Sequence, residues 1–166
     1  MSAAQPPSSK SSSLRFPGPG VVIVAIDFSD ASQNACLKAR EWAARSGDEL
    51  LLLYVNDTME QAITDAMTPQ LLEVSRQRHG EAERHLAAVV SELARDGLKA
   101  RSLICEGVPH DRIIKTAVSE KASLIVMGTH GRTRLAHLLI GSVAERVVRE
   151  APCPVLVVPI VRPPKT

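Results

Sequence analysis

The stretch Val-Val-Ile-Val-Ala-Ile-Asp at residues 21–27 decides how the rest of this chain is read. Its first six residues are apolar without alternation and five of them are β-branched. That is the pattern of a strand covered on both faces, as in a parallel sheet with helices above and below it. Four more stretches read as strands: 49–56 (ELLLLYVN), 100–105 (ARSLIC), 123–129 (SLIVMGT) and 153–160 (CPVLVVPI). Leu-rich 49–56 is ambiguous by periodicity alone, and its length and position favour a strand. Helical patterns fill the gaps. Ser29 or Asp30 can cap the first, which runs through Ala35, Ala39, Trp42 and Ala43 to a stop at Gly47. Pro69 opens a long one with Ala82, Leu86, Val89 and Leu93 on one face, ended by Gly97. A third covers 109–120 with Ile113, Ile114 and Ala117 inward, and a fourth covers 143–150. Strands and helices alternating in this way imply right-handed crossovers and an α/β fold with helices on both faces of a parallel sheet. The polar segment 57–68 commits to neither pattern and is expected to be a mobile connection.

At 166 residues the chain is sized for one domain. Hydrophobic residues are 45% and aromatics 2%, so the core must be built from Val, Ile, Leu and Ala, and stacking platforms for single-stranded nucleic acid are not expected. Net charge is +2; without the tail residues Lys10, Arg15, Arg162 and Lys165 the body holds sixteen basic against eighteen acidic residues, or −2. That balance predicts no nucleic-acid partner. Residues 1–20 contain six Ser, four Pro and two Gly and are expected to be a disordered extension, with the folded domain at 21–161 and a loose tail at 162–166. No apolar run reaches the ~20 residues of a membrane span, and Ser, Pro and Gln occupy the place of a signal-peptide core. Cys36, Cys105 and Cys153 form no C-x-x-C pair and are expected as buried small hydrophobes in a reducing, cytoplasmic setting.

Ligands of an open parallel sheet sit beyond the carboxyl ends of the strands, where strand order reverses. The first strand runs into Asp27-Phe28-Ser29-Asp30, which has no glycine, so the dinucleotide fingerprint G-x-G-x-x-G is absent there. No G-K-[ST] occurs, which excludes the usual P-loop. The fourth strand runs into Met127-Gly128-Thr129-His130-Gly131-Arg132, and Gly141-Ser142 opens the next helix. Glycines at 128 and 131 let the backbone turn and approach a ligand, and a helix start offers free amides to an anion. His130, Arg132, Arg134 and His137 lie between, with no acid from 129 to 144. Together they describe a phosphate cradle of main-chain donors.

Structural readings compete with these. Ser142-Val-Ala-Glu145 is also a capping box that needs no ligand, and the two glycines could be loop punctuation. Asp27 could cap the turn into Ser29. His79 and Glu83, four apart, lack a third metal ligand; His110 reads as a helix-start residue; Trp42 reads as a core or dimer-side anchor.

The spacing Gly128-x2-Gly131-x9-Gly141-Ser142 resembles the ATP-binding signature of the universal stress protein family, G-x2-G-x9-G-[ST]. Asp27-Phe28-Ser29, the turn Gly107-Val-Pro109-His110 and Cys153-Pro154-Val-Leu-Val-Val158 agree with the same family, so the resemblance covers about residues 20–160. It implies a five-stranded parallel sheet in the order 3-2-1-4-5 (Rossmann-like, of the adenine nucleotide alpha hydrolase-like kind) and a homodimer, often through the last strand. The resemblance also implies an ATP site, with Mg2+ on the phosphates. Asp27 would meet the ribose and adenine side, with Ile26 beside it. Val55 would line the adenine slot, and Met127 and Gly128 would pack near the ribose. Gly131, Arg132, Gly141, Ser142 and Val143 would contact phosphates. Two positions depart from the pattern: Ala25-Ile26 stands where some members carry Pro-Thr, and Ala144 where some ATP-binding members carry Thr.

The expected function is an ATP-binding, nucleotide-responsive stress module acting through its dimer. A slow ATPase or autophosphorylating enzyme needs a group to orient the nucleophile, and Ser142, Thr129, Thr133 and His130 are the groups near the cradle. A nucleotide-free interaction protein is the third reading, resting on the hydrophobic last strand, whose Pro154 and Pro159 limit ladder pairing.

Overall fold

The computed structural model describes residues 19–57, 69–129 and 140–160, with backbone alone for 69–76 and 78. The N-terminal extension up to residue 18, most of the polar connection, and His130, Gly131, Arg132, Thr133, Arg134 and His137 lie outside the described residues. So do residues 161–166. In chain order the elements are β1 (Val21–Ile26), α1 (Asp30–Ser46), β2 (Glu49–Asp57), α2 (Pro69–Arg95), β3 (Ala100–Gly107), α3 (Pro109–Ser119), β4 (Leu124–Gly128), α4 (Ser142–Glu150) and β5 (Val155–Val158). The sheet is parallel throughout in the order β3-β2-β1-β4-β5. Ile23 pairs with Leu51 on one side and Ile125 on the other, which puts β1 at the centre.

The unbroken apolar strands have the expected consequence: each sheet face carries its own core. On one face Val22, Val24, Leu50, Leu52 and Val126 pack against Ala35, Ala39 and Ala43 of α1 and Ala82, Leu86 and Leu93 of α2. On the other, Ile23, Leu51, Leu53, Ile125 and Met127 pack against Ile113 and Ala117 of α3 and Ala144 and Val147 of α4. The buried residues of α1 are alanine and serine (Ala31, Ser32, Ala35, Ala39, Ala43), with half-buried Cys36 packed beside them, so nothing bulky separates this helix from the sheet. Ser29 caps it by accepting the Ser32 N–H at 3.2 Å, and Gly47 ends it with a left-handed φ of 76°, a conformation that costs glycine little.

Trp42 is not in the core. It is 42% exposed, and its indole N–H donates to Asp48 Oδ2 at 2.9 Å. Asp48 also accepts the Ser46 hydroxyl and the Gly20 N–H, so one buried carboxylate ties the entry into β1 to the end of α1. The three cysteines are half-buried rather than buried, and they are free thiols. Burial pushes the Cys36 and Cys153 thiols up, with Glu92 adding to the effect at Cys36.

Candidate functional site

The sheet reverses its direction of growth between β1 and β4. From β1 the chain moves through α1 to β2 on one side, whereas β4 is reached from β3 through α3 on the opposite face. Helix starts therefore diverge above the carboxyl ends of these two neighbouring strands and leave a crevice, with Asp27 on one wall and Thr129 on the other.

On the β1 wall, Asp27 Oδ1 accepts the Ser29 N–H at 3.0 Å and the Ser29 hydroxyl at 2.6 Å. The structural alternative for this aspartate is thus realised: it orders the turn that launches α1, while the residue stays half-buried at the crevice. The intervening Phe28 has φ 64°, a left-handed conformation that costs a bulky residue about 1–3 kcal/mol. Its ring lies 5.2 Å from that of Tyr54 and 5.4 Å, edge-on, from that of His85. Phe28 was missed from sequence, although the Asp-x-Ser pattern of a side-chain-closed turn was there to flag it.

On the β4 wall, Gly128 has a packing reason for lacking a side chain, beside the ligand approach expected from sequence. A Cβ there would meet the Cβ of Ala31 at 2.6 Å and its carbonyl carbon at 2.8 Å, so Gly128 is where α1 crosses β4. Met127 is 4% exposed, packed in the α3/α4-side core; Val55 and Val143 border the same core. Ile26 packs instead against the α1/α2-side core with Phe28. The structure therefore brings Val55, Met127 and Val143 to one face and sends the Ile26 side chain to the other.

Thr129 and Gly141 are stitched together: the Gly141 N–H donates to the Thr129 carbonyl at 2.7 Å, and the Thr129 N–H donates to Val158 in β5 at 3.0 Å. The segment leaving β4 thus returns to its starting point before α4 begins. Gly141 itself is the N-cap of α4, with φ −72° and ψ 158°, and as glycine it brings no capping side chain. The capping-box expectation is corrected here. Ser142 lies one residue inside the helix and exposed, and Glu145 pairs with Arg149 at 2.7 Å instead of reaching back. A helix start of this kind has amide donors and a dipole that suit an anion.

His110 opens α3, as its sequence position predicted, with Nε2 3.1 Å from Arg146 Nη1 and 3.2 Å from Asp111 Oδ1. His79 lies 3.5 Å from Glu83, and among the described residues no group of three metal-ligating side chains occurs.

These elements define a doubly wound α/β domain with a glycine-started helix at its switch point, the place where ligands of such sheets sit. The chain belongs to the universal stress protein family, whose sequence model matches residues 20–159. Universal stress protein MJ0531 of Methanocaldococcus jannaschii is 37% identical over 137 residues, covering 82% of this chain and 80% of the relative. MJ0577 from the same organism is 30% identical over 82% of this chain and 93% of its own length. Its solved structure superposes with a TM-score of 0.76 over 87% of this chain and 98% of that one. A solved universal stress protein in complex with cAMP is similar at 25% identity and a TM-score of 0.57, covering 87% of this chain and all of that one. No helix among the described residues is long and apolar enough to cross a membrane.

Proposed function

We propose that the protein binds ATP, with Mg2+ on the phosphates, in the crevice between Asp27 and the β4–α4 connection, and that it acts as a nucleotide-responsive stress module. The observation that carries this reading is the Gly141 N-cap: an α4 start whose cap residue brings no side chain to the amides, held beside β4 by the Thr129 carbonyl. An anion is the natural partner of such a start. Support comes also from the signature Gly128-x2-Gly131-x9-Gly141-Ser142 and from the relative solved with cAMP, an adenine nucleotide. In this reading Asp27 and Val55 meet the nucleoside, Met127 and Gly128 line the floor, and Gly131, Arg132, Gly141, Ser142 and Val143 take the phosphates. Ile26 contributes main chain only. Mg2+ would offset phosphate charge. Binding asks for donors and shape, both present at the α4 start, and no general base.

Homodimerisation through β5 belongs to the same proposal, supported by its edge position in the sheet and by the exposed Leu156. The test is calorimetric. Protein purified in denaturant and refolded should take up ATP with measurable heat. Absence of heat at millimolar ATP refutes the reading.

A further inference from the structure

Phe28 is the one bulky residue among the described residues that holds a left-handed backbone conformation; the other non-glycine case is Lys121, at the end of α3. Glycine would occupy this position without strain. What the side chain adds is its ring, placed against Tyr54 at the end of β2 and His85 on α2. These contacts come from two elements outside the turn and act as a brace on it. The turn does two things: it presents Ser29 as the cap of α1, and it holds Asp27 Oδ1 on the Ser29 N–H and hydroxyl at the crevice.

We propose that Phe28 is a positioning residue for the nucleoside half of the ligand. Its ring fixes the peptide between Asp27 and Ser29, and through it the direction of the Asp27 carboxylate, before ligand arrives. The inference rests on the nucleotide reading above. It also explains why a strained phenylalanine stands where glycine would serve the backbone alone: preorganisation of a binding carboxylate removes an ordering cost from the binding step.

The experiment compares wild type, Phe28→Gly and Phe28→Tyr by calorimetry with three probes: ATP, AMP and inorganic tripolyphosphate. Phe28→Gly should lose about tenfold in affinity for ATP and for AMP and keep its affinity for tripolyphosphate. Phe28→Tyr should restore both nucleotides. A merely structural role would weaken all three probes together, and that result overturns the proposal, as does unchanged AMP affinity in Phe28→Gly. Amide exchange at Ser29, measured without ligand, tests the brace separately. Faster exchange in Phe28→Gly supports it, and unchanged exchange overturns it even where wild type binds no nucleotide, an outcome that would refute the ATP reading instead.

Discussion

Replacing Gly128 with alanine adds a single methyl group, and the structure says where it goes. It meets Ala31 at 2.6 Å on the Cβ and 2.8 Å on the carbonyl carbon, whereas ordinary contact begins at 3.4 Å. The first turn of α1 must therefore withdraw by about 0.8 Å, against a close-packed interface that has no slack. Ala31, Ala35, Ala39 and Ala43 are at most 1% exposed, so the helix cannot tilt away without opening its whole contact face. Overpacking of this kind costs about 1–3 kcal/mol. At about 2–4 °C per kcal/mol for a domain of this size, thermal unfolding should fall by several degrees. The internal control is Gly80→Ala in α2, where an added Cβ finds nothing within 4 Å. There the same substitution should stabilise by about 0.5–1 kcal/mol, because alanine is the better residue inside a helix. Both variants are to be followed by circular dichroism in heat and in urea, without nucleotide. A Gly128→Ala protein as stable as wild type would refute the crossing of α1 over β4 described here.

Ser142→Asp should raise unfolding stability by about 0.3–1 kcal/mol, since a negative charge suits the uncapped α4 start, and should weaken ATP binding by repelling the phosphates. Equal or tighter ATP binding by calorimetry contradicts the phosphate assignment. Gly131→Val should abolish ATP binding with the far-ultraviolet spectrum unchanged; normal binding would mean that the cradle lies elsewhere. Asp48→Ala strands three donors and should cost about 1–3 kcal/mol in urea unfolding, with a shift in the emission of Trp42, the only tryptophan. Burial alone would push the Asp48 carboxyl up, but the hydrogen bonds from Ser46, Gly20 and Trp42 outweigh it and hold the group below its ordinary 3.8. A lowered folded value adds stability above the ordinary one, and that stability is lost as pH falls through the folded value. Wild type should therefore lose more stability than Asp48→Asn as pH drops below about 4; parallel acid profiles would exclude this role.

The sheet was legible in sequence because a doubly covered strand cannot hide: five β-branched residues in six at 21–26 admit little else. Strand order was not available from periodicity and came through the glycine spacing and the landmarks that accompany it. For the candidate site, the sequence pointed to the strand ends, and the local packing roles of its residues were less legible. The packing role of Gly128 was not legible, because nothing local reveals that Ala31, ninety-seven positions earlier, needs the space. Ser142-x-x-Glu145 satisfied the capping-box pattern, yet Gly141 takes the cap position, since its N–H is drawn to the Thr129 carbonyl and the helix begins one residue later. Trp42 followed the helical period of an inward residue, and its polar N–H instead found Asp48 at the rim. At Gly128 and Gly141 a contact distant in sequence decided the outcome, and at Trp42 a hydrogen bond six positions along the chain did.

The stitch between Thr129 and Gly141 has an evolutionary corollary. Because both ends of the intervening stretch are moored to the framework at one spot, that stretch can lengthen, shorten or change composition without disturbing β4 or α4. Doubling its length adds only about 0.6 kcal/mol of closure entropy. Sequence change between residues 129 and 141 is thereby uncoupled from the framework on either side of it.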